Sequence, residues 1–267
     1  MNILELHHVQ SITNKPGGYE LDIHVTNTKG EVVEQKVMHA THLFLGAGSI
    51  GSPELLLKSI CESKLKINNR NIGIQWGNNG NVMAGRNFVS GNTGISQSTI
   101  PIIAVDHWDD KKHPFFAEIS LFPINMEVWT ALYLVINKVP KLGSMSYGKD
   151  GLKLDWGKSN TKKMRKTTSY FINSLNKANI GTPAHMLFDK GVAEDICYHP
   201  LGGLTLGHST NAYGALKGAK NLYVVDSSLI PGTIGVNPFL TITAIAEYCM
   251  ENIIKNDFSN QPAKNEE

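Results

Sequence analysis

Residues 42–57 read HLFLGAGSIGSPELLL. Leu43, Phe44 and Leu45 suit a short apolar strand, the glycines at 46, 48 and 51 suit a tight turn, and Pro53 and Glu54 open a helix through Leu57, with the proline in its first turn. A strand, a glycine turn and a helix in that order can hold a phosphate at the helix N-terminus, and Gly46-x-Gly48-x-x-Gly51 has the form of a dinucleotide fingerprint. A nicotinamide-binding fold also needs an acidic residue about 20 positions on, after a second strand, to bind the ribose. Residues 68–71 are instead Asn-Asn-Arg-Asn, and no second β-α-β unit follows. NAD binding therefore ranks last among the readings, while a glycine turn packed against some other nucleotide or cofactor stays open.

Upstream of this unit, Leu21, Ile23 and Val25 alternate with polar partners, Asn27-Thr28-Lys29-Gly30 makes a turn, and residues 32–38 run back, which predicts a β-hairpin. Downstream, residues 74–94 are rich in Gly and Asn and read as loops. The stretch from Thr99 to Val135 is strand-like, with residues 115–121 as its central piece. Met164, Phe171, Ile172 and Leu175 recur at helical spacing, and Lys162, Lys163, Arg165 and Lys166 form the solvated side of that helix. Residues 221–226 form a strand, Pro231-Gly232 a turn, and residues 237–254 a helix followed by a polar tail.

Composition narrows the function classes. A chain of 267 residues, 41% hydrophobic and 18% charged, buries a substantial core and is not disordered. A net charge of +2 gives no field for collecting phosphate backbones, which argues against a nucleic-acid partner. Cys61, Cys197 and Cys249 are odd in number and form no C-x-x-C pair, and His7, His8, His39, His42 and His107 show no metal-ligand pattern, so no metal is expected. No apolar run approaches the roughly 20 residues of a bilayer span. The first residues lack an export signal, so the chain as written reads as cytoplasmic, with secretion requiring a signal further upstream.

Four positions could carry chemistry. His199 precedes Pro200 and a glycine turn, which extends its backbone and can aim the imidazole into a cleft, although a surface histidine at a turn has the same appearance. Asp226 closes a strand at its carboxyl end, where ligands sit in α/β sheets, or caps a turn. Asn237 by itself reads as a helix N-cap. Glu118 lies among Phe115, Phe116, Ile119, Leu121 and Phe122; on the buried side of a strand it would be a poorly solvated and stronger base, on the other side merely exposed.

Read together, GAGSIGSPELL, YHPLGG, NLYVVD and GVNPFLTITAIAE resemble the C-terminal portion of the glucose–methanol–choline family of flavin oxidoreductases, and WGNNGN, STIP and PFFAEISLFP are closest to the bacterial cholesterol oxidases within it. The spacing 237 − 199 = 38 agrees with that family's active-site His and Asn. The resemblance spans about residues 7–254. It implies an α/β (α+β) fold, with residues 1–73 and 215–255 as part of an FAD-binding domain, 74–214 as a sterol-binding domain whose mixed β-sheet is covered by helices, and 256–267 as a tail.

The same resemblance implies roles residue by residue. His199, Asn237 and Glu118 match the catalytic residues, and they contact the substrate together with Phe116. Val9, Ala47, Tyr198, Asp226, Ser227 and Phe239 match FAD contacts, with Ser227 standing where the family has glycine. The implied reaction is oxidation of a sterol 3β-hydroxyl by FAD with O2 as acceptor, then double-bond isomerisation, with sterol uptake through transient contact with a membrane surface. Which of His199 and Glu118 takes the hydroxyl proton is open. The family's main pyrophosphate-binding β-α-β unit would lie upstream of Met1, leaving strand edges and apolar faces of this chain uncovered. The alternative is a sterol-binding module without redox activity, or an inactive gene fragment.

Overall fold

Apolar alternation does build the N-terminal sheet, but with three strands. The computed structural model describes residues 2–88, 104–120, 130–183 and 197–259. Strands β1 (His7–Lys15), β2 (Gly18–Thr26) and β3 (Val32–Ala40) form an antiparallel meander. The β2–β3 turn closes as expected, with Asn27 Oδ1 accepting from the N–H groups of Lys29 and Glu31. Strand β1 was hidden in the sequence because a bulge between Val9 and Ser11 breaks its alternation.

Next come β4 (Leu43–Leu45) and helix α1 (Gly48–Cys61). The helix starts five residues before Pro53, earlier than the proline suggested. Its first N–H groups are capped from far along the chain: Asp226 Oδ2 accepts from Gly48 N–H at 2.9 Å and Ser227 Oγ from Ser49 N–H at 3.1 Å, across 178 residues. Strand β14 (Leu222–Val224) pairs in parallel with β4, and the helical turn Ser227–Leu229 follows it. Leu45, Leu56, Leu222, Val224 and Leu229 are buried in the core of this part, together with Cys249 and Ile253 of a C-terminal helix, Phe239–Ile253.

The Gly- and Asn-rich stretch expected to be loop contains two strands, β5 (Ile74–Gly77) and β6 (Asn81–Phe88). Only residues 78–80 form the turn between them. Strands β7 (Ala104–Asp106), β8 (Phe115–Ser120), β9 (Thr130–Asn137), β10 (Gly143–Gly148) and β11 (Gly151–Asp155) lead to helix α2 (Lys158–Asn179), then β12 (Gly181–Pro183) and β13 (Leu201–Gly203). They assemble a four-stranded sheet in the order β11-β10-β5-β13 and a five-stranded sheet in the order β12-β6-β9-β8-β7. With a parallel pair at β4–β14 and antiparallel pairs elsewhere, the chain is an α/β structure with both kinds of pairing.

The five-stranded sheet separates two environments. On one face Ala84, Phe115, Ala117 and Val135 pack against Phe171 and Ile172 of α2, whose Lys162, Lys163 and Lys166 point to solvent. On the other face Met83, Leu132, Leu134 and Ile136 cluster with Phe116, and the register puts Glu118 opposite Leu134 in the same layer. The motif at 98–101 and residues 121–129 of the strand-like stretch lie outside the described residues, as do 260–267 of the tail. Among the described residues no helix is long and apolar enough to cross a membrane.

The turn before β6 depends on Gly80. Its φ is +72°, and a Cβ there would lie 1.8 Å from the Asn137 carbonyl oxygen, whereas Gly30, with φ +81°, has no atom within 4 Å. Gly30→Ala is expected to cost about 1–2 kcal/mol, the left-handed penalty alone. Gly80→Ala is expected to cost several times that. Chemical denaturation of the two variants checks this, and equal losses would disprove the tight packing at Gly80.

Candidate active site

Glu118 is the central side chain of β8 on the apolar layer and is nearly buried. The loop 231–238 crosses this layer and delivers Asn237, whose Nδ2 donates to both carboxylate oxygens of Glu118, at 3.1 Å to Oε1 and 2.9 Å to Oε2. That use explains why Asn237 is not the N-cap it resembled. The C-terminal helix, here α3 (Phe239–Ile253), starts at Phe239 with Pro238 in the capping position and no side-chain cap. A carboxylate above Met83, Leu134 and Phe116 has few other donors, so the amide offsets much of its lost hydration.

His199 stands on the neighbouring wall. Its backbone N–H and that of Tyr198 donate to Asn81 Oδ1, at 3.0 and 3.2 Å. Asn81 is paired with Ile136 in the register and so lies in the same layer as Glu118. The imidazole itself is half-buried, its Nδ1 is shielded from solvent and has no hydrogen-bond partner among the described residues, and burial holds its pKa below the usual value. It is therefore neutral near pH 7, able to accept a proton. Among the described residues no hydrogen bond joins this ring to Glu118 or Asn237; the ring shares a cleft with Pro238 instead.

The glycine turn after β4 separates two clefts. One, of about 570 Å³, includes Val9, Phe44, Gly46 and Ala47 in its lining. The other, of about 420 Å³, includes Ala47, Ile50, Tyr198, His199 and Ser227. Ala47 is common to both. The Asp226 carboxylate holds the turn in place: besides Gly48 N–H, Oδ2 accepts from the Ser52 hydroxyl, while Oδ1 accepts from the N–H and hydroxyl of Ser228. All its acceptor positions are thus used inside the protein, which is the turn-capping alternative realised. Ser227 is likewise engaged, its Oγ bonded to the N–H and hydroxyl of Ser49. Phe239 is 81% exposed, and Tyr198 56%.

Comparison with known proteins gives the family. A model of the GMC oxidoreductase C-terminal region matches residues 79–189, and a second GMC oxidoreductase model matches 151–246. The chain belongs to the GMC oxidoreductases. It is similar to a cholesterol oxidase of Acinetobacter baumannii, 29% identical over 157 residues, which are 53% of this chain and 27% of that protein. It is also similar to a long-chain-alcohol oxidase of Arabidopsis thaliana, 30% identical over 96 residues, 34% of this chain and 12% of that protein. Among solved structures it superposes on pyridoxine 4-oxidase from Mesorbium loti with a TM-score of 0.63 and 16% identity, over 92% of this chain and 57% of that one. For a formate oxidase the TM-score is 0.67 and the identity 14%, over 94% of this chain and 60% of that one. The chain thus spans about 57–60% of these two structures and a smaller share of the two sequence relatives.

Sequence reading missed Asn79 and Asn81, the side chains that grip the two loops carrying Asn237 and His199. The Asn-Gly pair at 79–80 marks a turn, and two turn asparagines so close together were the available signal.

The depressed His199 pKa predicts a pH dependence. The unfolded chain binds the extra proton below about pH 6.5, where the folded chain resists it, so stability rises with pH through that window, is fully present above it, and is lost on acidification. Urea unfolding across this range is expected to show less acid sensitivity in His199→Gln than in wild type. An unchanged slope would mean that His199 is not buried.

Proposed function

We propose that this chain forms the substrate-binding part and one cofactor flank of an FAD-dependent oxidase that converts a sterol 3β-hydroxyl to a ketone with O2 as acceptor, then shifts the double bond. The observation that carries the reading is the Asn237 amide on the Glu118 carboxylate, set in the apolar layer of Met83, Leu132, Leu134, Ile136 and Phe116. Such a layer suits a rigid apolar alcohol, and the similarity to a cholesterol oxidase supports the sterol class. In this reading residues 1–73 and 215–255 belong to the cofactor side, 74–214 to the substrate side, and 256–267 are a tail.

The residues present fit one flank of a flavin dinucleotide. Val9 and Ala47 would contact its adenosine end, and Tyr198, His199, Ser227 and Phe239 its ring end, with Asp226 acting through the turn it holds. A side chain on Gly46 would meet no protein atom within 4 Å, so the chain's own packing leaves room beside the turn. When bound, FAD supplies a two-electron acceptor that passes its electrons to O2, giving H2O2.

His199, neutral and with a nitrogen unpartnered among the described residues, would take the proton of the substrate hydroxyl while the hydrogen on the carbinol carbon leaves with its bonding electrons to the two-electron acceptor, which gives the ketone. Glu118 then removes a proton from the carbon between the new ketone and the double bond. The electron pair moves into the ring system, and Glu118 returns the proton at the remote end of that double bond. Asn237 holds the carboxylate between the two transfers.

The cofactor site is completed by a further pyrophosphate-binding segment, in the same or another chain. The exposure of Phe44, Ile50, Phe239 and Leu240 supports this, as does the share of the solved structures that this chain spans. The 267-residue chain alone is expected to be colourless after purification. In the completed protein, His199→Ala or Asn237→Ala should lower alcohol oxidation by about 10²–10⁴-fold, while Glu118→Gln should spare ketone formation and block isomerisation. Peroxide release and product analysis on a sterol check this. Near wild-type oxidation in both of the first two variants would overturn the reading, and sterol binding by a completed protein that never takes up flavin would assign the non-redox module instead.

A further inference from the structure

The two loops that carry His199 and Asn237 are gripped by asparagines only two residues apart. Asn79 is fully buried; its Nδ2 donates to the Val236 carbonyl at 2.8 Å and its Oδ1 accepts from Ile234 N–H at 2.9 Å. Its own N–H donates to the Gly232 carbonyl at 3.1 Å. These bonds fix the backbone up to the residue before Asn237. Asn81 is equally buried, and its Oδ1 receives the N–H groups of Tyr198 and His199, while its Nδ2 has no partner among the described residues.

The turn that joins them is itself immobilised. Asn78 Oδ1 accepts from Gly80 N–H at 2.9 Å, Asn78 Nδ2 donates to the Asn81 carbonyl at 3.2 Å, and the Gly80 carbonyl accepts from both the backbone N–H and the side-chain amide of Asn137, at 2.8 and 3.0 Å. Both backbone groups of Gly80 are thus hydrogen-bonded, its N–H within the turn and its carbonyl to Asn137 of β9.

We infer that residues 78–81 are a positioning element, in which Asn79 sets Asn237 against Glu118 and Asn81 sets His199, so that one rigid turn fixes the spacing of imidazole and amide. The inference rests on the reading of His199, Glu118 and Asn237 as the reacting groups. The hydrogen-bond pattern makes the two asparagines chemically distinct. Asn79 uses both a donor and an acceptor; Asn81 uses an acceptor alone.

The same substitution should therefore have opposite effects at the two sites. In Asn81→Asp one carboxylate oxygen keeps both N–H groups and the other replaces an amide that has no partner among the described residues; the added buried charge is common to both aspartate variants, so the comparison between them reads the hydrogen-bond pattern. In Asn79→Asp an oxygen faces the Val236 carbonyl, and the loop must shift. Both residue types tolerate the left-handed backbone of position 79, where φ is 55°, so backbone strain does not confuse the comparison.

The test is NMR on the full 267-residue chain, reading amide hydrogen exchange at Tyr198, His199 and Ile234 and the side-chain amide signals of Asn237. Asn81→Asp is expected to keep all of them as in wild type. Asn79→Asp should move the Asn237 signals and speed exchange at Ile234 by about tenfold or more while sparing Tyr198 and His199. Asn81→Ala should do the reverse, exposing Tyr198 and His199 and sparing Ile234. If the alanine variant does not fold, the aspartate pair decides. Equal effects of aspartate at both positions, or loss of all signatures together, would overturn the inference. In the completed enzyme Asn79→Asp should lower kcat at least tenfold with KM unchanged; the selective NMR pattern seen alongside normal oxidation by His199→Ala would sink the proposed reaction and leave the positioning intact.

Discussion

A carboxylate set among methionine, leucine and phenylalanine side chains loses water that only internal donors can replace. Among the described residues the Glu118 carboxylate receives two hydrogen bonds, both from one amide, and that amide arrives from 119 residues further along the chain. Everything around the site serves this crossing. The five-stranded sheet provides a stiff apolar floor, α2 seals its far side, and the loop before α3 must arrive at a fixed height above β8. A loop position set this closely cannot come from loop sequence alone; it needs bonds to a rigid neighbour, and the turn of residues 78–81 supplies them.

The chain also shows how a single carboxylate can organise a turn that the local sequence leaves ambiguous. Asp226 gathers Gly48, Ser52 and Ser228, while the next residue, Ser227, caps Ser49. The result is an N-terminus of α1 whose first donors are satisfied inside the protein. Ser227 takes part in that network and ties the β14 side of the core to α1. The glycine turn is then free to border the two clefts without needing a ligand to hold it.

How much of this was legible depended on the range of the interactions involved. The β2–β3 hairpin, β8, β14 and α2 follow from alternation or helical spacing within a few residues, and the sequence displays them. The start of α1 is not legible in its local sequence because its caps come from 178 residues away. Strands β5 and β6 have the local composition of a loop because the glycines and asparagines that punctuate them serve close packing and side-chain bonding to distant loops. Residue types at 118, 199 and 237 announced chemistry only in combination. Alone, each had an ordinary explanation, and for Asp226 the ordinary one, a cap, is what its hydrogen bonds describe.

In the proposed reaction the separation of two proton-handling groups would have a physical basis in how each is supported. His199 is fixed through its backbone, by an acceptor, which leaves the ring itself outside that bond; burial then keeps the ring neutral near pH 7. Glu118 is fixed through its side chain, by a donor, which orients both oxygens on the apolar layer. A group that must receive a proton from a hydroxyl needs an available lone pair, whereas a group that must carry a proton between two carbons needs a controlled direction. The two modes of support match those two needs. Exchanging them would fail, since a ring nitrogen tied to an amide could not meet a hydroxyl, and a carboxylate anchored only by its backbone could swing between the floor and solvent.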